Sequence, residues 1–161
     1  MMVSSGVTRV DFYHLQKWSI ERALLSLLEK IYSAKHRAVL LSGSSTRIEA
    51  LTALLWTYTP DSWLPHGSIT EGYGDATLQP IWLTTIDENP NKANVLILID
   101  GMDSAHKAQY WRCLDLFDGN DSAAVASAHD RWQACRNSGF VLFYWQQHSN
   151  KNSKWELKER S

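Results

Sequence analysis

Apolar and polar positions alternate with the period of a strand in the segment RVDFYHL, Arg9 to Leu15, which predicts a first β-strand. From Ser19 the period changes. Ile20, Leu24, Leu27, Leu28 and Ile31 recur at helical spacing, Ser19 suits the N-cap, and Glu21 falls in the first turn. The short apolar run Ala38 to Leu41 predicts a buried strand. Ser42 to Ser45 then reads as a turn, with Ser45 capping a second helix that runs to about Trp56 on an inner stripe of Ile48, Leu51 and Leu55. Pro60 ends that helix, and Tyr58 to Gln79 reads as a long loop rich in Gly, Pro, Ser and Thr.

Two more strands follow, Ile81 to Thr84 and Val95 to Ile99, joined by a turn from Asp87 to Lys92. The second, VLILI, is apolar at every position, as a central parallel strand buried on both faces should be. His106 to Tyr110 suits a helical turn and Arg112 to Phe117 a strand. Ser122 to Asn137 reads as a third helix stopped by Gly139, before a last strand from Phe140 to Trp145. Alternating strands and helices imply an α/β fold of three layers, Rossmann-like, with a mostly parallel sheet and helices on both faces. Residues 1–145 are expected to form one domain, and the polar stretch 146–161 a frayed, disordered tail.

Composition narrows the function classes. A hydrophobic fraction of 44% with 20% charged residues is ordinary for a folded globular chain. A net charge of −1 argues against a duplex DNA binder that works by neutralising phosphates, so a role on DNA would be exercised through another protein. Cys113 and Cys135 suit neither a disulfide framework nor a metal site, which points to a reducing, cytoplasmic setting. No run approaches the ~18 apolar residues of a membrane span, and Met1 to Arg9 lacks a signal-peptide core. Eight tryptophans are unusual in a chain of this size, because indoles are enriched where proteins meet.

Candidate reaction centres are thin. The strand–turn–helix LSGSSTRIE, Leu41 to Glu49, has one glycine, Gly43, and lacks the Gly-Lys pair of a phosphate loop. No Gly-x-Ser-x-Gly elbow is present. Asp100, followed by Gly101 and Asp103, ends a central strand where α/β enzymes place catalytic acids, although both aspartates also suit a plain turn. The six histidines lack the i, i+4 spacing of a helical zinc pair. No catalytic residue, cofactor or metal is expected. The alternative is a small nucleotide- or phosphate-handling enzyme using the Gly43 turn and Asp100.

Two segments carry a family resemblance. Leu55 to Gly67, LWTYTPDSWLPHG, resembles the signature loop of the chi subunit of bacterial DNA polymerase III. Asp130 to Trp145, DRWQACRNSGFVLFYW, resembles that family's C-terminal pattern of Arg, aromatic, Arg, Gly and a closing strand that ends near a Trp. RVDFYHL, Pro80 to Leu83 and Val95 to Asp100 fall in matching order, so the resemblance spans roughly residues 9 to 145. It implies a Rossmann-like fold without nucleotide chemistry in a non-catalytic accessory subunit. It also implies two partners: psi, which ties chi to the clamp loader, and the acidic C-terminal tail of single-stranded DNA-binding protein. A repair helicase sharing the psi surface is a further candidate.

For the psi-type contact the expected residues are Trp56, Trp63, Leu64 and Pro65, with Tyr58 at the edge. Trp56 fits equally the last buried residue of its helix or an interface, whereas Trp63 lies in a loop. For the tail contact they are His129, Arg131, Trp132, Arg136, Gly139 and Phe140. His129, Trp132 and Arg136 share a helix face, and a guanidinium can grip a carboxylate bidentately, although both arginines also suit solvated charges near a helix C-terminus. Val125 and His129 stand where family members often carry basic residues, so either the hold on an acidic tail is weaker or Lys and Arg from elsewhere, such as the Lys-rich C-terminal stretch, substitute.

Overall fold

A computed structural model describes residues 7–57, 64–70, 75–147 and 155–161. The chain runs β1 (Arg9–Leu15), α1 (Ile20–Ser33), β2 (Ala38–Leu41), α2 (Ser45–Thr57), β3 (Gly67–Ser68), β4 (Ile81–Thr84), β5 (Val95–Leu98), β6 (Arg112–Asp118), α3 (Ser122–Asn137), β7 (Val141–Gln147) and β8 (Trp155–Arg160). Short 3₁₀ turns occupy Ala76–Leu78 and Lys107–Gln109. The strands form one sheet in the order β3-β4-β2-β5-β6-β1-β7-β8. Every pairing is parallel except that of β7 with β8.

Alternation along each strand divides the core into two layers. Tyr13, Leu15, Leu40, Leu83, Ile97 and Leu116 face α1 and α2. Phe12, Leu41, Leu98, Cys113, Phe117 and Leu142 face α3. This is the three-layer α/β arrangement, with helices on both faces of a mostly parallel sheet. Among the described residues no helix is long and apolar enough to cross a membrane.

Local chemistry sets the helix ends. The Ser19 hydroxyl accepts from the Arg22 N–H, and Asp121 accepts from the N–H groups of Ala123 and Ala124. At α2 the cap is Ser44 and not the expected Ser45: the Ser44 hydroxyl accepts from the Arg47 N–H at 3.1 Å. Helix α3 closes on Gly139, whose φ of +85° needs no Cβ. The Gly139 N–H donates to the Arg136 carbonyl, and the Phe140 N–H to that of Cys135, the paired bonds of a Schellman turn.

The last segment departs from the expected frayed tail. Strand β7 runs on through Gln147, and β8 adds an antiparallel edge. Gln147 is buried, and its side-chain oxygen accepts the N–H groups of Lys17 and Trp18, each at 2.9 Å. Trp155 meets Tyr13 edge-on at 5.1 Å. An open strand edge and one partly buried indole are enough to order a mostly charged segment, because the bonds that form β8 are main-chain bonds.

Candidate partner-binding surfaces

Trp56 closes α2. Ile48, Leu51, Thr52 and Leu55 form the buried stripe of that helix, and Trp56, one step past it, is 50% exposed. Its ring tilts against His66 with centroids 4.6 Å apart, and the buried His66 sits with Nδ1 2.8 Å from the Leu64 carbonyl oxygen. The choice between core and surface is therefore decided for Trp56: it is a propped, solvent-facing indole. Leu64 differs from expectation, being buried in the core layer beneath α1 and α2, while Pro65 is half-buried. Trp63 and Tyr58 lie outside the described residues.

Helix α3 rearranges the second expected site. Its inward stripe is Ala128, Arg131, Trp132 and Cys135, at i, i+3, i+4 and i+7. Trp132 is accordingly a core residue, edge-on to Phe12 at 5.4 Å and to Tyr144 at 5.6 Å. Arg131 is enclosed too. Its guanidinium donates to the Asp115 carboxylate at 2.7 and 3.1 Å, and to the Ser127 hydroxyl at 2.6 Å. Side-chain exposures of 7% for Arg131 and 3% for Asp115 leave neither charge free to meet a ligand.

Enclosure pushes the Asp115 carboxyl above the ordinary carboxylate range, and the guanidinium of Arg131 opposes that rise. Asp115 stands in the middle of the apolar strand RCLDLFD, and a charge placed there requires a buried partner. That requirement is the sequence signal that assigns Arg131 to the interior. Val125 also turns inward and packs on the α3-side core.

The outward members of the site are His129, Arg136 and Gly139, with Phe140 half-buried beside them. Arg136 forms no ion pair with a described residue, so the end of α3 presents a guanidinium next to a tight glycine turn. His129 is tied loosely to Tyr144, whose hydroxyl lies 3.4 Å from its Nε2 and 2.7 Å from Nδ1 of His14.

The residues of the enzyme alternative are engaged in holding the fold. Asp100 adopts a left-handed backbone at φ +56°, and its carboxylate accepts from the Ser42 hydroxyl and from Arg47 Nε, each at 3.1 Å. Arg47 also pairs with Glu21, which ties α1, α2 and the end of β5 together. A Cβ at Gly43 would first meet Met102 Sδ at 3.6 Å, an ordinary contact, so that turn is not shaped by close backbone approach. Asp103 pairs with Lys107. Among the described residues no group of three or more His, Cys, Asp or Glu is placed to hold a metal ion.

One network was not anticipated from the sequence. Asp11, fully buried in β1, accepts two hydrogen bonds from Arg9 at 2.8 Å, two from Arg112 at 3.1 and 3.2 Å, and one from Trp145 Nε1 at 2.8 Å. The carboxylate interrupts RVDFYHL just as Asp115 interrupts RCLDLFD, and here too its partners are arginines.

Compared with known families, the model of DNA polymerase III chi subunit, HolC, matches residues 7–142. The chain belongs to that family. The match takes in the sheet from β1 to the start of β7, with all three helices, and stops short of β8. A curated relative, the "Probable DNA polymerase III subunit chi" of Rickettsia prowazekii (strain Madrid E), is 33% identical over 107 residues. That alignment covers 66% of this chain and spans 64% of the relative's length.

Proposed function

We propose that the chain is a non-catalytic accessory subunit of the bacterial DNA polymerase III holoenzyme, acting as an adaptor. It links the clamp loader, through psi, to the C-terminal tail of single-stranded DNA-binding protein, in the cytoplasm at replication forks. Membership of the chi family supports the setting. The observation that carries the adaptor reading is Trp56, a half-exposed indole supported by a buried histidine at a helix end. Such anchors are enriched among residues that dominate binding energy between proteins. For the acidic tail, the exposed end of α3 offers Arg136 beside Gly139, Phe140 and His129, with Arg131 and Trp132 behind it as supports.

The test is retention of psi and of a tail peptide by purified variants. Trp56→Ala should weaken psi binding about thirtyfold, the effect of a ~2 kcal/mol hot spot, and leave tail binding intact. Arg136→Ala, or removal of the last residue of the tail, should weaken the tail complex alone. Unchanged retention of both partners by both variants would refute the assignment. A melting temperature raised by ATP or phosphate esters, with no partner retained, would instead favour the enzyme alternative.

A further inference from the structure

The sheet face that carries α1 is not covered evenly. Helix α1 packs on β6, and α3 covers β1, β6 and β7 from the opposite side. Beyond α1, towards the β8 edge, lie side chains of another kind. Arg112 and Arg9 stand in register on β6 and β1 with Val141 on β7, and the next row brings Asp11, Phe143 and Arg160 side by side. The Arg9 guanidinium lies 3.9 Å from the centre of the Phe143 ring, and that of Arg160 lies 5.1 Å from it. Trp145 continues the array, its ring within 11° of parallel to Phe143 at 6.3 Å between centroids.

Next to Arg112 the row ends in Trp111, 49% exposed and stacked on His36 at 4.6 Å. Trp111 and Arg112 border a groove of about 360 Å³ between α1 and the sheet, which Lys30 also lines.

We propose that this strip is a binding surface for single-stranded nucleic acid. Planar rings and guanidinium planes alternate along it, and such faces stack unpaired bases without sequence preference. Arg9 and Arg112 share the buried carboxylate of Asp11, while Arg160 lies over Phe143 and Lys30 lines the rim, so positive charge is left over for phosphates. The strip crosses the strands and does not run along an edge, so it does not offer main-chain pairing to an extended peptide. From β6 to β8 it measures about 14 Å at ordinary strand spacing, which suits a short run of nucleotides. A chain of net charge −1 would hold such a strand locally and not by general attraction. This surface is separate from Trp56 and from Arg136.

Fluorescence anisotropy of a labelled oligothymidylate, titrated with the full chain over a salt series, tests the proposal. Binding should weaken with a log–log salt slope of about −2, because three cations on a single strand contribute about 0.7 each. Arg160→Gln should lower that slope by about 0.7, and Phe143→Leu should weaken binding roughly tenfold, the scale of one lost base stack. Trp56→Ala and Arg136→Ala should bind the strand as the parent does, which separates this test from that of the adaptor reading. Absence of binding at the lowest salt, or binding unaffected by both strip variants, would overturn the proposal. So would tight binding of poly-glutamate, lost in the same variants, without binding of the oligonucleotide.

Discussion

Replacing Arg131 by alanine would strand the Asp115 carboxylate inside the protein. The pair is bidentate at 2.7 and 3.1 Å, and both side chains are nearly inaccessible. At roughly 3 Å and an effective dielectric of about 20 their attraction is about 5 kcal/mol, and removing one partner of a buried pair typically costs about 3–5 kcal/mol. For a chain of this length that corresponds to a fall in melting temperature of roughly 6–20 °C. The loss should depend on pH in a definite sense. Burial already raises the Asp115 carboxyl, and without the guanidinium only the Lys107 ammonium opposes it. An acid whose folded-state pKa is raised is best tolerated protonated, so the deficit should be small near pH 4, where the unfolded group titrates, and should grow as the pH rises through the folded pKa.

Thermal unfolding followed by circular dichroism at pH 5 and pH 7.5, for parent and variant, measures both effects. Asp115→Leu combined with Arg131→Met should recover most of the loss, since buried pairs can often be replaced by apolar residues of similar volume. A fall of less than about 2 °C would refute the reasoning, as would a deficit indifferent to pH. So would an Arg131→Ala variant that keeps its stability and loses only tail affinity.

Other expectations follow from local geometry. Ser19→Ala and Asp121→Ala should each lower stability by about 1 kcal/mol, read from the urea midpoint, because each removes a helix cap. Gly119→Ala should cost about 3 kcal/mol, since the added methyl would meet the His14 ring and the Leu15 carbonyl; a neutral result would show that this packing is looser than it looks. Both cysteines are buried, and burial pushes the Cys113 thiol up to about 12 and raises Cys135 as well. Labelling by a thiol reagent at pH 8 should therefore be slow in the native state and track unfolding, and rapid labelling of both without denaturant would contradict their placement.

Most elements were legible because one force shaped each of them. The alternation of RVDFYHL, the four-residue apolar runs and the helical spacing of α1 all report burial against one or two layers, and burial is what composition encodes most directly. The misreadings arise where a second force acts. Strand β8, WELKER, has almost no apolar period, because its order comes from main-chain bonds to β7, which any side chain permits. Arg131 carries the residue type of a surface ligand but sits on the inward stripe, and only its pairing with an aspartate sixteen residues earlier reveals it. Leu64 was misread for a simpler reason: a loop leucine is free to reach the core.

Strand β1 lies between β6 and β7, so residues near position 9 bond to residues near 112 on one side and 141 on the other. During synthesis β1 must therefore wait with both edges open until β6 emerges, and with one edge open until β7 does. Contacts so distant along the chain favour slow folding and leave unpaired edges exposed to neighbouring molecules in the meantime. A chain cut short before β7 would accordingly keep β1 paired with β6 on one side and leave its other edge bare, a ready template for pairing with another molecule.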